Sequence, residues 1–143
     1  MAQPRTSFEP WEAALIDAAR VAHLVTIAAD GRPTVVPACF AWQEGRFAIP
    51  VDEKPKRPGK LARVRNIERD PRVSLLVDHY DEDWRRLAWV RVEGTAGVVE
   101  RGELRPELVA ALRLRYRQYG AMALERLPLI VIEAERVVSW RWE

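Results

Sequence analysis

Short β-branched runs, each ended by a turn signal, constrain this chain more than any other feature. "HLVTIAAD" (23–30) closes at Asp30-Gly31, a hairpin signal, and "PTVVPACFAW" (33–42) supplies a returning strand. Gly45 marks a second turn before "RFAIPV" (46–51), so the first half reads as a meander of three antiparallel strands. "RVSLLVDHY" (72–80) is a further strand, and "LAWVRVEGTAGVVE" (87–100) a long one with Ala88, Val90 and Val92 on one face. Gly94 and Gly97 are expected to mark a bulge or bend in it. The end of the chain, "LIVIEAERVVSWRW" (129–142), alternates Val138, Trp140 and Trp142 against Ser139 and Arg141, which suits a terminal strand with one covered face.

Two helical patterns flank these strands. "TSFEPWEAALIDAARVA" (6–22) places Trp11, Leu15, Ala18 and Ala22 on one stripe, with Ser7 or Thr6 as cap and Pro10 in the first turn. From Pro106 to about Leu124 the stripe is Leu108, Leu112 and Tyr116, with Ala111 and Tyr119 beside it. Arg113, Arg115 and Arg117 are then expected on its solvated side, a reading preferred to the nucleic-acid one that "RLRYRQYG" otherwise invites. Six or seven strands joined mostly by hairpin-type turns, with two or three helices, fit a mainly β, α+β architecture: an antiparallel β-barrel with helices outside it. A length of 143 residues with no linker or repeat implies a single domain, 1–143.

Between "RFAIPV" and "RVSLLV" lies "DEKPKRPGKLARVRNIERDP" (52–71). From Lys54 to Ile67 it carries Lys54, Lys56, Arg57, Lys60, Arg63 and Arg65 and no acid, although the chain as a whole has a net charge of only +2. The charge is local, which favours one anionic ligand at one place over a nucleic-acid face. Leu61, Val64 and Ile67 recur at helical spacing, so residues from about Lys60 to Glu68 form a short helix entered through a stiff basic loop and closed by Asp70-Pro71. A helix N-terminus ringed by cations attracts phosphate, and each charge-assisted contact there contributes about 1.5–3 kcal/mol when partly desolvated.

The order helix, "HLVTIAADGRPTVVPACFAW", "RFAIPV", basic loop, "LARVRNIERDPRVSLLV" and "WVRVEGTAGVV" resembles the split β-barrel proteins of the pyridoxamine phosphate oxidase superfamily, the FMN-binding split-barrel type. The segment from Arg63 to Val73 is its most specific part. Among the branches, the chain is most similar to the one that uses the deazaflavin coenzyme F420. The resemblance implies a homodimer with cofactor sites at the subunit interface. It places ring-facing backbone around Val36, Pro37 and Ala38 and around Ala48, Ile49 and Pro50, and phosphate and acidic-tail contacts on Lys54, Lys56, Arg57, Lys60 and Arg63. Asn66 has a structural alternative. The chain carries Arg63 where many relatives carry lysine, and no hydroxyl on the third strand.

A single phosphate distinguishes FMN from the deazaflavin, whose phosphodiester and carboxylate tail form a longer anionic strip, so six cations over a few turns suit coenzyme F420; FMN is the alternative. The expected chemistry is hydride transfer from the reduced deazaflavin to a small organic acceptor, with the protein orienting the ring and excluding water. A non-catalytic cofactor carrier is the competing class. The sequence has no nucleophile elbow, HExxH or Gly-rich phosphate loop.

In "DHYDEDW" (78–84), His79 and Tyr80 are candidate proton donors, and Trp84 and Trp89 are expected to wall the groove or the subunit interface. His79 with Asp78, Asp81 and Asp83 lacks the spacing and the second histidine of a metal site, so no metal is expected. His23 reads as a core or edge residue, Trp140 and Trp142 as core or dimer contacts, and Cys39, the only cysteine, as a buried thiol. No apolar run approaches a membrane span, and the first residues carry acids where a signal peptide needs an uninterrupted apolar core, so a cytoplasmic location is expected.

Overall fold

A computed structural model describes residues 7–51 and 61–143. Its elements in chain order are α1 (Pro10–Ala18), β1 (Ala22–Ile27), β2 (Pro33–Ala38), β3 (Ala41–Gln43), β4 (Arg46–Pro50), α2 (Ala62–Arg69), β5 (Arg72–His79), β6 (Ala88–Val99), α3 (Pro106–Arg115) and β7 (Leu129–Arg141), with short 3₁₀ turns between some of them. The strands form one antiparallel sheet in the order β2-β1-β5-β6-β7-β4-β3, which curls into the half-barrel of a split-barrel fold.

Turn chemistry sets the hairpins. Gly31 has φ 86°, and Asp30 accepts from the Arg32 N–H at 3.1 Å. In the two-residue loop between β3 and β4, Glu44 and Gly45 both have positive φ, as a turn matched to strand twist requires. The meander is not what forms. β2 and β3 are separate strands at opposite ends of the sheet, so the chain crosses from one edge to the other through Cys39 and Phe40. Phe40 turns into the core there, and its N–H, lost to any ladder, donates to the Tyr116 hydroxyl at 3.1 Å. Cys39 points the other way and is exposed, not buried.

The core inside the curl joins Leu24, Phe40, Phe47, Ile49, Leu75, Val77, Val90, Val92, Ile130 and Ile132. Each such side chain contributes roughly 1.5–3 kcal/mol on burial. α1 packs on this core through Ile16, Trp11 and Leu15, and α2 through Val64 and Ile67, the expected short stripe. α1 begins at Pro10 with Glu9, not Ser7, at the cap, and the Glu9 N–H donates to Glu12 at 2.8 Å. Its buried face turns away from Ala18 toward Glu12 and Ile16, because Glu12 also takes the Ser139 hydroxyl of β7.

α3 covers the outer face of β7, β4 and β3, where Leu108, Leu112 and Tyr116 meet Ala41, Ala48, Leu129 and Val131. It ends at Arg115, well short of Leu124. Tyr116 leaves helical geometry (φ −124°, ψ 118°), and its hydroxyl donates to the Arg20 carbonyl at 3.0 Å. Two of the arginines expected on a solvated side are instead fasteners. Arg113 pairs with Glu125 and donates to the Met122 carbonyl at 2.8 Å. Arg115 caps the end of α1 through the carbonyls of Ile16 and Ala19 and lies 4.4 Å from the centre of the Phe40 ring.

A bulge decides which aromatic residues face outward. Glu93 pairs with Arg136 but Gly94 with Ala134, so Glu135 is the extra residue. The alternation of β7 inverts across it. Ile130, Ile132 and Ala134 face the core before the bulge, Val137 after it. Trp140 and Trp142 are therefore 42% and 47% exposed and are not core residues. Gly94 carries this irregularity, whereas Gly97 sits in regular register with Val131.

Candidate functional site

The terminal strands of the sheet are β2 and β3, and among the described residues β4 runs past the end of β3 at Ile49 and Pro50; the side chains of Ala38 on β2, Ile49 on β4 and Val51 just after it enter one core. Backbone parity shows what those edges offer. The Ala28 N–H donates to the Arg32 carbonyl, so Thr34, Val36 and Ala38 bond to β1 and Pro33, Val35 and Pro37 turn outward. On β4 the Val51 N–H donates to the Pro128 carbonyl, so Ile49 faces β7 and Pro50 turns outward beyond the end of β3. Three of the four outward positions are prolines, which lack the N–H. Within these two strands the open edges present carbonyl oxygens and a single donor, the Val35 N–H. Another strand cannot extend such edges, whereas a planar ligand with its own donors can meet them.

Of the expected ring-facing residues, Val36 is half-buried, Pro37 exposed and Ala38 buried, while Ala48, Ile49 and Pro50 are all buried. Ala48 pairs on both sides, with Ala41 and Val131, which leaves Pro50 as the member of this trio with a carbonyl on the open edge. Lys54, Lys56, Arg57 and Lys60 lie outside the described residues.

Arg63 is described, in the first turn of α2 and half-buried. Its side chain makes no hydrogen bond or ion pair with any other described residue. One turn later, on the same face, Asn66 is 6% exposed and its amide donates to the Thr26 hydroxyl at 3.0 Å. The Asn66 side-chain oxygen accepts from Arg69 at 3.0 Å, and Arg69 also donates to the Ile27 carbonyl at 3.1 Å. The structural alternative for Asn66 holds: it ties α2 to β1.

Asp70, just after α2, accepts from the Arg72 guanidinium at 2.7 and 3.0 Å and from its N–H at 3.2 Å. These bonds lower its carboxyl from 3.8 to about 2. A depressed carboxylate stabilises the fold above its unfolded value and loses that contribution as pH falls through the folded one. Denaturation from pH 6 down to 2 is therefore expected to show Asp70→Asn less stable than wild type at neutral pH and equal to it near pH 2. A gap that persists unchanged to pH 2 would refute the assignment.

His79, Tyr80 and Trp84 lie at the other end of β5, which spans eight residues, roughly 25 Å, from its junction with α2. Within one chain they are not brought to Arg63. His79 is exposed, with its Nε2 3.8 Å from Asp81, and Tyr80 and Trp84 are 62% and 61% exposed. Trp89 is half-buried on the outer face, opposite Trp140, with the Arg91 guanidinium 5.7 Å from its ring. His23 is half-buried on the same face, opposite Pro37. Among the described residues no group of three or more His, Cys, Asp or Glu could hold a metal, and no helix is long and apolar enough to cross a membrane.

Among the described residues no helix covers the outer face of β2, β1, β5 and β6. Val35 (58% exposed) and Trp140 stand there with Val25, Leu76, Trp89 and Val138. At the bulge this face opens a cavity of about 400 Å³ bordered by Val25, Ile27, Arg72, Ser74, Glu93 and Glu135, none of them an expected site residue. Period-2 alternation on β1 and β5 was the available signal, but it does not tell a bare face from a covered one.

A family profile described as pyridoxamine 5'-phosphate oxidase matches residues 9–141. No curated protein matches the chain at the sequence level. Among solved structures, a conserved hypothetical protein from Mycobacterium tuberculosis superposes with a TM-score of 0.75 at 25% identity, covering 99% of this chain and 91% of that one. A heme storage protein from Vibrio cholerae gives 0.71 at 20% identity over 93% of each chain. An F420 reductase gives 0.66 at 21% identity, covering 92% of this chain and 98% of that one.

Proposed function

Because the chain belongs to the pyridoxamine 5'-phosphate oxidase family, we propose that it is a coenzyme F420-dependent reductase that works as a homodimer on a small organic acceptor. One observation carries the reading. Arg63 is a half-buried residue whose guanidinium has no described partner, in the first turn of the helix that follows the basic segment in sequence. A guanidinium with no internal partner is free to take an anion, and a charge-assisted contact there is favourable. The acidic strip of the deazaflavin tail supplies that anion, and Lys54, Lys56, Arg57 and Lys60 extend the cationic surface in sequence. The carbonyl-rich edges at Val35, Pro37 and Pro50 suit a ring that brings its own donors. The structural likeness to an F420 reductase agrees with this choice.

The bound coenzyme would supply a hydride. The chain itself would hold the tail through Arg63, orient the ring along the proline-bearing edges and exclude water with apolar walls. A second copy seated on the bare outer face would bury Val35, Leu76, Trp89, Val138 and Trp140. It would also bring its own Trp84, Tyr80 and His79 toward the cofactor, which one chain cannot do. Proton delivery by His79 or Tyr80 belongs to that assembly.

The test is anaerobic titration of the protein with coenzyme F420 and with FMN, followed by stopped-flow reoxidation of the reduced coenzyme with enones, quinones and tetrapyrroles. The expected result is binding of coenzyme F420 at micromolar concentration or tighter, weaker binding of FMN, and acceptor-dependent reoxidation. Binding of neither ends the proposal, preference for FMN replaces the cofactor, and tight binding without any reoxidation makes the protein a carrier.

A further inference from the structure

We propose that Asn66 is a positioning residue, which sets the anionic-tail affinity of the site by fixing the rotation of α2 and with it the direction of Arg63; this rests on the reading of Arg63 as the tail contact. Arg63, Asn66 and Ile67 are spaced i, i+3 and i+4 and share one helix face. Side chains on a helix lean toward its N-terminus, so helix geometry directs Arg63 away from the Asn66 clamp. α2 has only eight residues, and its apolar anchors are Val64 and Ile67. Apolar contacts are non-directional and tolerate a small rotation of so short a helix.

Directional bonds do not tolerate it. The Asn66 amide donates to Thr26, which is 2% exposed, and its oxygen accepts from Arg69, itself fixed on the Ile27 carbonyl. Both ends of the amide are thus referred to β1, the strand that carries β2 and its open edge. The scale of the effect follows from helix geometry. A side chain reaching about 6 Å from the axis moves about 2 Å when the helix turns by roughly 20°. A charge-assisted hydrogen bond does not survive such a displacement. A buried amide with its donor and acceptor both used is also costly to place, which is consistent with a demand for angular definition here.

Two probes separate positioning from general stability: coenzyme F420, and its chromophore without the phosphate and carboxylate tail. Thr26→Val removes the acceptor for Asn66 while keeping β-branched shape, and Thr26→Ser keeps the hydroxyl. Thr26→Val is expected to raise the Kd for coenzyme F420 about tenfold and to change that for the tail-less ring less than twofold, with Thr26→Ser at wild-type values for both. In an Arg63→Ala background Thr26→Val is expected to cost coenzyme F420 nothing more, because the residue being positioned is gone. If Thr26→Val does not fold, Arg69→Gln, which releases the other end of the amide from an exposed position, is measured in its place with the same expectations. Parallel weakening of both probes, additive effects with Arg63→Ala, or unchanged affinity in a folded variant overturns the inference alone. Binding of neither probe by the wild-type protein overturns the reading of Arg63 as well.

Discussion

Gly94→Ala is expected to destabilise the protein by roughly 4 kcal/mol, beyond the usual 1–3 kcal/mol of an overpacked site. A Cβ at Gly94 would stand 1.9 Å from the Glu133 carbonyl oxygen, 3.0 Å from its carbon and 3.4 Å from the Ala134 Cα. All three are backbone atoms of the neighbouring strand, so no rotamer change relieves the clash and β6 must part from β7. That pairing is the longest in the sheet and carries the bulge. Against a total stability of about 5–15 kcal/mol the loss is large, and it lowers Tm by on the order of 12 °C. Gly97→Ala is the control, because a Cβ there meets nothing within 4 Å, and its Tm is expected within about 2 °C of wild type. Comparable melts for the two variants would mean that the bulge does not require a glycine.

Arg63→Glu is expected to weaken coenzyme F420 binding about 100-fold. It removes a charge-assisted contact of about 1.5–3 kcal/mol and sets a carboxylate against the acidic tail, roughly 3 kcal/mol in all. Fluorescence titration at fixed ionic strength measures it, with Arg117→Glu, an exposed arginine outside the site, expected to stay within about threefold by the small worth of exposed charge pairs. Binding that survives Arg63→Glu unchanged would remove the cationic cradle from this helix.

The strands, the short helix with Val64 and Ile67 inward, and the turns at Gly31 and Gly45 are legible in the chain because each follows from neighbours a few residues apart. Trp140 and Trp142 were not, since their side of β7 depends on an extra residue at Glu135 that shifts the period without leaving a local mark. Arg113 and Arg115 read as solvated positions, yet their partners are carbonyls at Met122, Ile16 and Ala19, and the last two lie nearly a hundred residues away. Cys39 followed the same pattern: only the crossing of the chain between sheet edges turns it outward.

The candidate site divides in the same way. A concentration of cations before a short helix is a property of composition and spacing, and the proposal of an anionic ligand rests on it. Which backbone groups stay unpaired, that Asn66 fastens α2 to Thr26, and that His79 and Trp84 stand a strand's length from Arg63 emerged only from the fold. The physical reason is range. Periodicity and turn preference act within a few residues, whereas the parity of a ladder, the position of a bulge and the bareness of a face are set by pairing between segments far apart in the chain.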